Sequence, residues 1–506
     1  MAKLTIEYTH PLYDEYKDRW SFYLRSYLGG AQYQAGRYLT HYINEDEESY
    51  QRRLDLTCMD NHSKNITHIY SSFLWRVPPT RTFNALAGNV ALDPFLKDCD
   101  LDGRSLNTFM REAQVWASVY GHVWIMLDKP KSNAGTRAEE LAQDIRPYVT
   151  MFTPENVLNW EYERAESGRF VLCYLKVLES AGLNADGEEE IYYRVWQKDT
   201  IQVWKVVDGD EMLIEQLDNP LAEIPAVFLP AQRSVTRGIG VSDLSDIAYV
   251  QRSIYQELSE LEQIIRLSNH PTLVKSFGTD ASAGAGSIIN MPDDLDPSLK
   301  PYQMQPSGAN MDAIRAAITD KVESINRMSH MGAVRGTAAV TSSGIALQTE
   351  FQMLNSKLSE KADILELAEE QLFNLFCEWQ GVTPDVEISY PDSFDLRDYD
   401  KELTFLQQMR ASGVKSVTLA VEIDKRISDL ILDDEALARA HKEIEETGSV
   451  LGDFSDKTQI YSYHIDAGVV TPNEVREKIG LDDIEGGDVL IEKQEEGASN
   501  ADLGQF

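Results

Sequence analysis

The first 120 residues place apolar side chains at helical spacing. A first helix within 10–80 is rich in aromatic residues and ends at the glycine pair 29–30. A second long helix is predicted over DEESYQRRLDLTCMDNHSKNITHIYSSFLWRVPP, where Asp60 and Asn61 would lie on its polar face. Another helix, from about Leu106 to Tyr120, stops at Gly121.

The spacing of apolar residues then changes from the period of a helix to that of a strand. Between residues 122 and about 230, short runs rich in β-branched and aromatic residues, such as HVWIML, FVLCYLKVL and IQVWKVV, are separated by polar turn clusters. This pattern predicts a mostly antiparallel β region joined to the helical part, and therefore an α+β fold.

Helical spacing returns after residue 240. One amphipathic helix carries Leu244, Ile247, Ile254 and Leu258 on one face, with Ser242 and Asp243 expected at its N-cap and first turn. Residues 278–308 contain four glycines and four prolines and predict an irregular or β-hairpin excursion.

A second helix follows, and its apolar stripe is Met311, Ile314, Ile318, Val322, Ile325 and Met328. The small-residue segment TAAVTSSG then leads into a helix of about 35 residues, long enough to span ~50 Å. Ser342 or Ser343 is its expected cap, and DVEISY after it reads as a strand.

The last hundred residues are predicted to be mainly helical. Residues 396–447 are helical with an interruption at Ala411-Ser412-Gly413, and Thr471 to Glu474 has the composition of a helix start. Residues 485–506 are polar and acidic, which predicts a disordered tail.

The net charge, the cysteines and the lack of long apolar runs limit the classes of function that the chain can have. A formal net charge of −36 argues against a general nucleic-acid clamp, although it does not exclude DNA as a neighbour. The four cysteines are far apart and without zinc spacing, which predicts reduced thiols. The start MAKLTIEYTH has no apolar signal region and no run approaches ~18 apolar residues, so we expect neither a secretory signal nor a membrane span.

No catalytic constellation stands out in the sequence. GIGVSD at 238–243 resembles the start of a dinucleotide loop, but Asp243 occupies the third glycine position and a strand-to-helix turn is favoured. His62 and His68 do not share a helical face well enough for a metal pair, and adjacent acids such as Asp293-Asp294 read as a solvated face. No P-loop, GxSxG or HExxH motif is present, so neither cofactor nor metal is predicted.

The order of elements resembles the portal protein, or head-to-tail connector, of tailed double-stranded DNA bacteriophages. GVSDLSDIAYVQRSIYQELSELEQIIRLSNHPTLV resembles the first stem helix of that family, and SGIALQTEFQMLNSKLSEKADILELAEEQLFNLFCEW resembles its tunnel loop running into a long wing helix. SSFLWRVPP and PYVTMFTPENVLNW resemble parts of the wing. The likeness extends over roughly residues 40–445.

The resemblance implies a division of the chain into named regions. These are a wing at 1–240, a stem helix at 241–270, a clip at 271–308, a second stem helix at 309–330, a tunnel loop at 331–345, a long wing helix with a returning strand at 346–395, a helical crown at 396–484 and the acidic tail at 485–506.

It also implies a non-enzymatic role and a set of partners. The chain would form a dodecameric ring at one capsid vertex of the virion, after assembly in the host cytoplasm. Double-stranded DNA would pass through the ring, packaged by a terminase motor that hydrolyses the ATP and later ejected. Capsid and scaffolding proteins and head-tail adaptor or tail proteins would bind its outside.

Several residues are candidates to line the channel. Small groups such as those of the loop can touch a phosphate backbone without reading its bases. The set comprises Lys321, Arg327, Val334, Arg335, Thr337, Val340, Thr341, Ser342 and Ser343. For Lys321 and Arg327, ion pairs with acids of a neighbouring subunit are an equal alternative. Two other functions stay open, namely a phage head or tail scaffold without a DNA channel, and an enzyme with an unrecognised site in the β region.

Overall fold

The computed structural model divides the chain into two compact units, Met1–Asp395 and Leu396–Phe506. It describes residues 5–131, 139–140, 143–183, 189–207, 210–221, 223–269, 272–274, 296, 302–304, 309–335, 344–394, 399–411, 416–431, 434–447, 471 and 473–474. The predicted acidic tail at 485–506 and most of the predicted clip lie outside the described residues.

The N-terminal helices are α1 (Pro11–Leu28), α2 (Gly30–Ala35), α3 (Glu47–Leu56) and α4 (His62–Leu74). The prediction of one long helix over α3 and α4 is wrong, because Asn61 begins a new helix by accepting a hydrogen bond from the Lys64 backbone N–H (2.8 Å). Asp60 and Asn61 are therefore not polar-face residues within a helix. Short β1 (Thr80–Phe83) and α5 (Leu92–Lys97) lead to α6 (Leu106–Tyr120), which ends at Gly121 as predicted.

The predicted antiparallel β region is confirmed and forms two sheets. β2 (His122–Asp128) lies between β3 (Tyr148–Phe152) and β9 (Ala226–Pro230), and both pairings are antiparallel. The second sheet has five antiparallel strands in sequence order. Its strands are β4 (Val157–Arg164), β5 (Phe170–Leu183), β6 (Glu189–Gln197), β7 (Thr200–Val207) and β8 (Asp210–Asp218).

Strand β2 separates two hydrophobic clusters. Val123, Ile125 and Leu127 point into a cluster built with α4, α6 and the long helix of the second half of the chain. Trp124 and Met126 point to the other face, into an aromatic cluster with α1 and the five-stranded sheet. Because successive side chains of a strand alternate between faces, one short strand belongs to both cores.

The GIGVSD segment is a turn, as predicted. Arg233 and Gly240 form an isolated bridge, and the Asp243 backbone N–H donates to the Ser118 carbonyl (3.1 Å). A Cβ atom on Gly240 would lie 2.1 Å from the Gly121 carbonyl oxygen, so the close approach of two backbones requires glycine there.

The second half of the large unit is mainly helical. Its helices are α7 (Ile247–Asn269), α8 (Ala309–Met328), α9 (Gly332–Arg335) and α10 (Gly344–Gln380). α7 begins later than predicted, so Asp243 does not belong to its first turn. The predicted strand after α10 is β12 (Val386–Ser389), and it pairs antiparallel with β1.

The small unit contains α11 (Tyr399–Ala411), α12 (Val417–Ile431) and α13 (Asp434–Thr447). α11 is described to Ala411, the first residue of the predicted interruption, and Ser412 and Gly413 lie outside the described residues. The separation of α12 from α13 was not predicted. Thr471 and Glu474 form the expected helix start as a reciprocal capping box, with the Glu474 N–H bonded to Thr471 Oγ1 (3.3 Å) and the Thr471 N–H to Glu474 Oε2 (2.9 Å).

Candidate DNA-channel segment

The candidate segment begins with a helical hairpin formed by α7 and α8. The short strands β10 (Thr272–Val274) and β11 (Tyr302–Met304) pair antiparallel between the two helices, as an excursion that returns on itself requires. An ion pair joins Lys321 of α8 to Glu257 of α7, and these residues lie equally far from the hairpin ends of their helices. The two helices therefore pack side by side and antiparallel.

The end of α8 is fixed firmly to the core. The Tyr70 hydroxyl donates a hydrogen bond of 2.6 Å to the Ser329 carbonyl, and both residues are buried. Ile325 and Met331 are fully buried in the same cluster. Burial raises the pKa of Tyr70 far above its usual value, so the hydroxyl stays protonated and can donate. The chain thus leaves the hairpin from a rigid base.

Arg335 ends α9 in a half-buried position against α4. Its Nη2 donates to Nδ1 of His62 at 2.6 Å, and Nε2 of His62 lies 3.1 Å from an Asp60 carboxylate oxygen. Burial lowers the pKa of Arg335, and the Asp60 charge opposes that shift. The guanidinium therefore anchors the end of α9 to α4, while the neighbouring Val334 is exposed.

The nine predicted channel residues differ in whether they are paired within the chain, exposed, or outside the described residues. Lys321 is paired within its own chain, and Arg335 is held by His62. Arg327 is exposed on α8, and within the described parts of the chain it makes no ion pair. The remaining residues, Thr337, Val340, Thr341, Ser342 and Ser343, lie outside the described residues.

Arg315 is a further exposed cation of α8 that the sequence analysis missed. Like Arg327, it forms no ion pair with any residue that the structure describes. The sequence could have indicated it, because Arg315 does not belong to the apolar face of this helix. A side chain outside that face must contact solvent or a partner. The same helix carries the exposed acids Asp312, Asp320 and Glu323, so its acidic and basic residues balance in number.

A buried ion pair stabilises the junction behind this segment. Lys361 Nζ of α10 lies 2.6 Å from Asp243 Oδ2, and Lys357 Nζ lies 3.6 Å from the other carboxylate oxygen. Burial alone would raise the pKa of Asp243, but the two lysines outweigh it and hold that pKa below its usual value. The sequence could have indicated this pair, because Lys361 lies on the same apolar helix face as Leu354, Leu358 and Leu365. A charged residue on a buried face needs a partner of opposite charge.

Apart from Arg315 and Arg327, the ionic groups described above pair with one another within the chain. No group of three or more His, Cys, Asp or Glu side chains in the described ranges is placed to hold a metal ion. Among the helices described, none combines the length and the apolar character needed to cross a membrane.

Comparison with known proteins gives one family and several structures. Residues 243–380 match the family described as DUF4055, a domain of unknown function. No curated protein matches the chain. Among solved structures, the chain is similar to one from the neck of an empty gene transfer agent particle computed with C6 symmetry, with 11% identity, a TM-score of 0.42, and coverage of 76% of this chain and 94% of that chain.

Two further structures come from the native form of that particle. One belongs to its neck computed with C12 symmetry, with 10% identity, a TM-score of 0.38, and coverage of 70% of this chain and 85% of the other. The second belongs to its virion, with 10% identity, a TM-score of 0.38, and coverage of 69% and 84%.

Proposed function

We propose that this protein is a portal subunit that assembles into a dodecameric ring at one capsid vertex of a phage-like virion. Double-stranded DNA would pass through the ring during packaging by a terminase motor and again during ejection. The subunit itself performs no chemistry in this proposal. Its outer surface would bind capsid and scaffolding proteins and head-tail adaptor or tail proteins.

The order of elements between α7 and α10 carries the proposal. An antiparallel helical pair joined by a β-hairpin is followed by a one-turn helix, a short segment rich in small residues, and a helix of 37 residues. This order fits the stem, clip, tunnel loop and wing helix of the family that the sequence resembles. In the proposal, α7 and α8 are the stem helices and 336–343 is the part of the loop exposed to DNA.

Two arginines of α8 are the described residues that this assignment would bring against phosphate. Arg327 and Arg315 are exposed cations without a carboxylate partner among the described residues, so they are available to phosphates. The remaining charge of the chain is strongly negative, and like charge would keep DNA from adhering along the channel.

The decisive experiment measures the assembly directly. Native mass spectrometry and negative-stain images of the purified chain are expected to show a closed ring of discrete mass with a central hole. A monomer would favour the enzyme alternative, and a closed assembly without a hole would favour the scaffold.

Deleting 337–342 keeps Arg335 and its contact with His62, so the ring is expected to form while DNA packaging or retention is impaired. Normal packaging by this variant would contradict the loop assignment.

A further inference from the structure

The contact between His62 of α4 and Arg335 of α9 depends on which ring nitrogen of the histidine carries a proton. Nη2 of Arg335 lies 2.6 Å from Nδ1 of His62. A guanidinium has donors only, so Nδ1 must accept this hydrogen bond and the imidazole must be neutral. Its single proton then lies on Nε2, which is 3.1 Å from a carboxylate oxygen of Asp60. One imidazole therefore lies between a cation and an anion.

Burial makes this contact sensitive to a change of charge. His62 is 5% exposed, and Arg335 is half-buried. Nη1 of Arg335 is buried and has no hydrogen-bond partner among the described residues. Within this part of the chain, the guanidinium thus depends on His62 for its hydrogen bond, and a buried cation that loses such a bond is destabilised.

Two charges of opposite sign act on the imidazole directly. Asp60 attracts a protonated ring and Arg335 repels it. The N-terminus of α4, where His62 is the first residue, adds to the repulsion. Interaction with His62 holds the pKa of Asp60 below its usual value, so this carboxylate stays charged in mild acid. Lys64, the next cation along α4, is exposed.

The described groups of the surrounding elements are mostly neutral. From α7, Gln251 Oε1 accepts from the Ser63 N–H (2.8 Å). The Tyr70 phenol of α4 stays protonated, because burial raises its pKa. From α10, Glu350 lies beside Gly332, at the other end of α9 from Arg335. Histidine is the side chain that ordinarily changes charge between about pH 5 and 8, so the imidazole is the group through which mild acid can act here.

We propose that His62 and Arg335 form a pH-sensitive latch, which holds α9 against α4 only while the imidazole is neutral. When His62 takes up one proton from solvent, Nδ1 changes from an acceptor into a donor and a positive charge lies against the guanidinium. The imidazolium then pairs with Asp60, and Arg335 moves into solvent. Acid therefore releases the end of α9. The latch goes beyond the proposed channel function and rests on contacts within one subunit.

A spin label beside Arg335 tests the latch in the full chain. Val334 is exposed, so Val334→Cys carries the label, while Cys58→Ser and Cys173→Ser remove the two cysteines that are not buried. Sparse labelling keeps the labels of neighbouring copies apart. The mobile fraction of the electron paramagnetic resonance spectrum is expected to rise about threefold as the pH falls from about 7.5 to about 5.

Matched variants assign the change to His62. His62→Asn keeps an acceptor at the place of Nδ1 but does not titrate, so the label should stay immobile at both pH values. His330→Asn removes the histidine nearest to Arg335 along the chain, at a left-handed position that asparagine tolerates, and should keep the full rise. Arg335→Gln should leave the label mobile throughout.

Three results would overturn the latch. They are a constant spectrum in the labelled parent, a rise that persists in His62→Asn, and loss of the rise in His330→Asn. If His62→Asn does not fold, Asp60→Asn decides, because the Asp60 side chain is 63% exposed. Its midpoint should move to lower pH, since the imidazolium loses its partner, and an unmoved midpoint would also contradict the proposal. Label mobility is read independently of assembly mass and DNA packaging, so failure of the portal proposal leaves this result interpretable.

Discussion

Asp243 and Lys361 form an ion pair of 2.6 Å whose two side chains are 0% and 5% exposed, at the junction between the turn before α7 and the middle of α10. Lys361 also donates to the Ala231 carbonyl (3.3 Å), and the Asp243 carboxylate accepts from Gln232 (3.4 Å). The pair therefore joins the middle of α10 to two neighbouring segments, at Ala231–Gln232 and at Asp243, that come much earlier in the chain.

A double-mutant cycle on this pair is expected to show strong coupling. Asp243→Asn should lower the free energy of unfolding by about 3–5 kcal/mol, because it leaves the buried Lys361 charge without its partner. Lys361→Met should lower it by less, because Lys357 stays 3.6 Å from the Asp243 carboxylate. The double variant should lose clearly less than the sum of the single losses. Urea unfolding followed by circular dichroism measures all four proteins, with Asp363→Asn as a surface control. Additive losses would contradict the coupling.

Lys176 provides a pH-dependent prediction. Its ammonium is buried and donates to the Ile6 carbonyl (2.6 Å) and to the Tyr8 carbonyl, which holds the N-terminal segment on the five-stranded sheet. Burial lowers its pKa to about 8 from the ordinary value of 10.5, although Glu211 opposes the shift. Between these two values the unfolded chain binds more protons than the folded protein, so this group makes stability rise with pH in that window.

The comparison of wild type with Lys176→Met isolates this titration from all others. The free energy of unfolding of wild type minus that of the variant is expected to increase as pH rises from about 8 towards 10.5. Urea unfolding at three pH values across this window measures it. A difference that stays constant or decreases would show that Lys176 does not titrate in this way.

Arg327 is the described residue best suited to contact DNA in the proposed channel. Arg327→Glu replaces an exposed cation on α8 with an anion, so repulsion of phosphate is expected to reduce the DNA packaged per particle severalfold. Ring assembly should be unaffected, because the side chain makes no ion pair within the described residues. Quantitative PCR of nuclease-protected DNA measures the effect, and Arg233→Glu is the control in an exposed loop. Loss of the ring in Arg327→Glu would instead support a pairing role between subunits.

Local signals predicted much of the fold. Neighbouring residues alone predict the helix end at Gly121 and the capping pair Thr471–Glu474, and the structure confirms both. The break between α3 and α4 contains neither glycine nor proline. It depends on Asn61, which caps α4 and also donates to the Tyr27 carbonyl (2.9 Å) in a distant helix.

The rest of the structure depends on long-range contacts that a linear pattern does not reveal. The TRTF strand is too short to be recognised alone, and its partner β12 lies some three hundred residues later. The neighbours of Asp243 suit a helix start, so the sequence predicted a capping or first-turn role for it. In the structure, its carboxylate instead forms an ion pair with Lys361 of α10. Of the candidate channel, the sequence predicted the helices, but the intrachain partners of Lys321 and Arg335 required three-dimensional structure.

The position of β2 between two hydrophobic clusters has a consequence for how the large unit melts. If Val123 and Ile125 leave one cluster, the strand can no longer hold Trp124 and Met126 in the other, because all four side chains share one backbone. The two clusters are therefore coupled through β2, and a change that displaces this strand from one cluster is expected to destabilise the other as well.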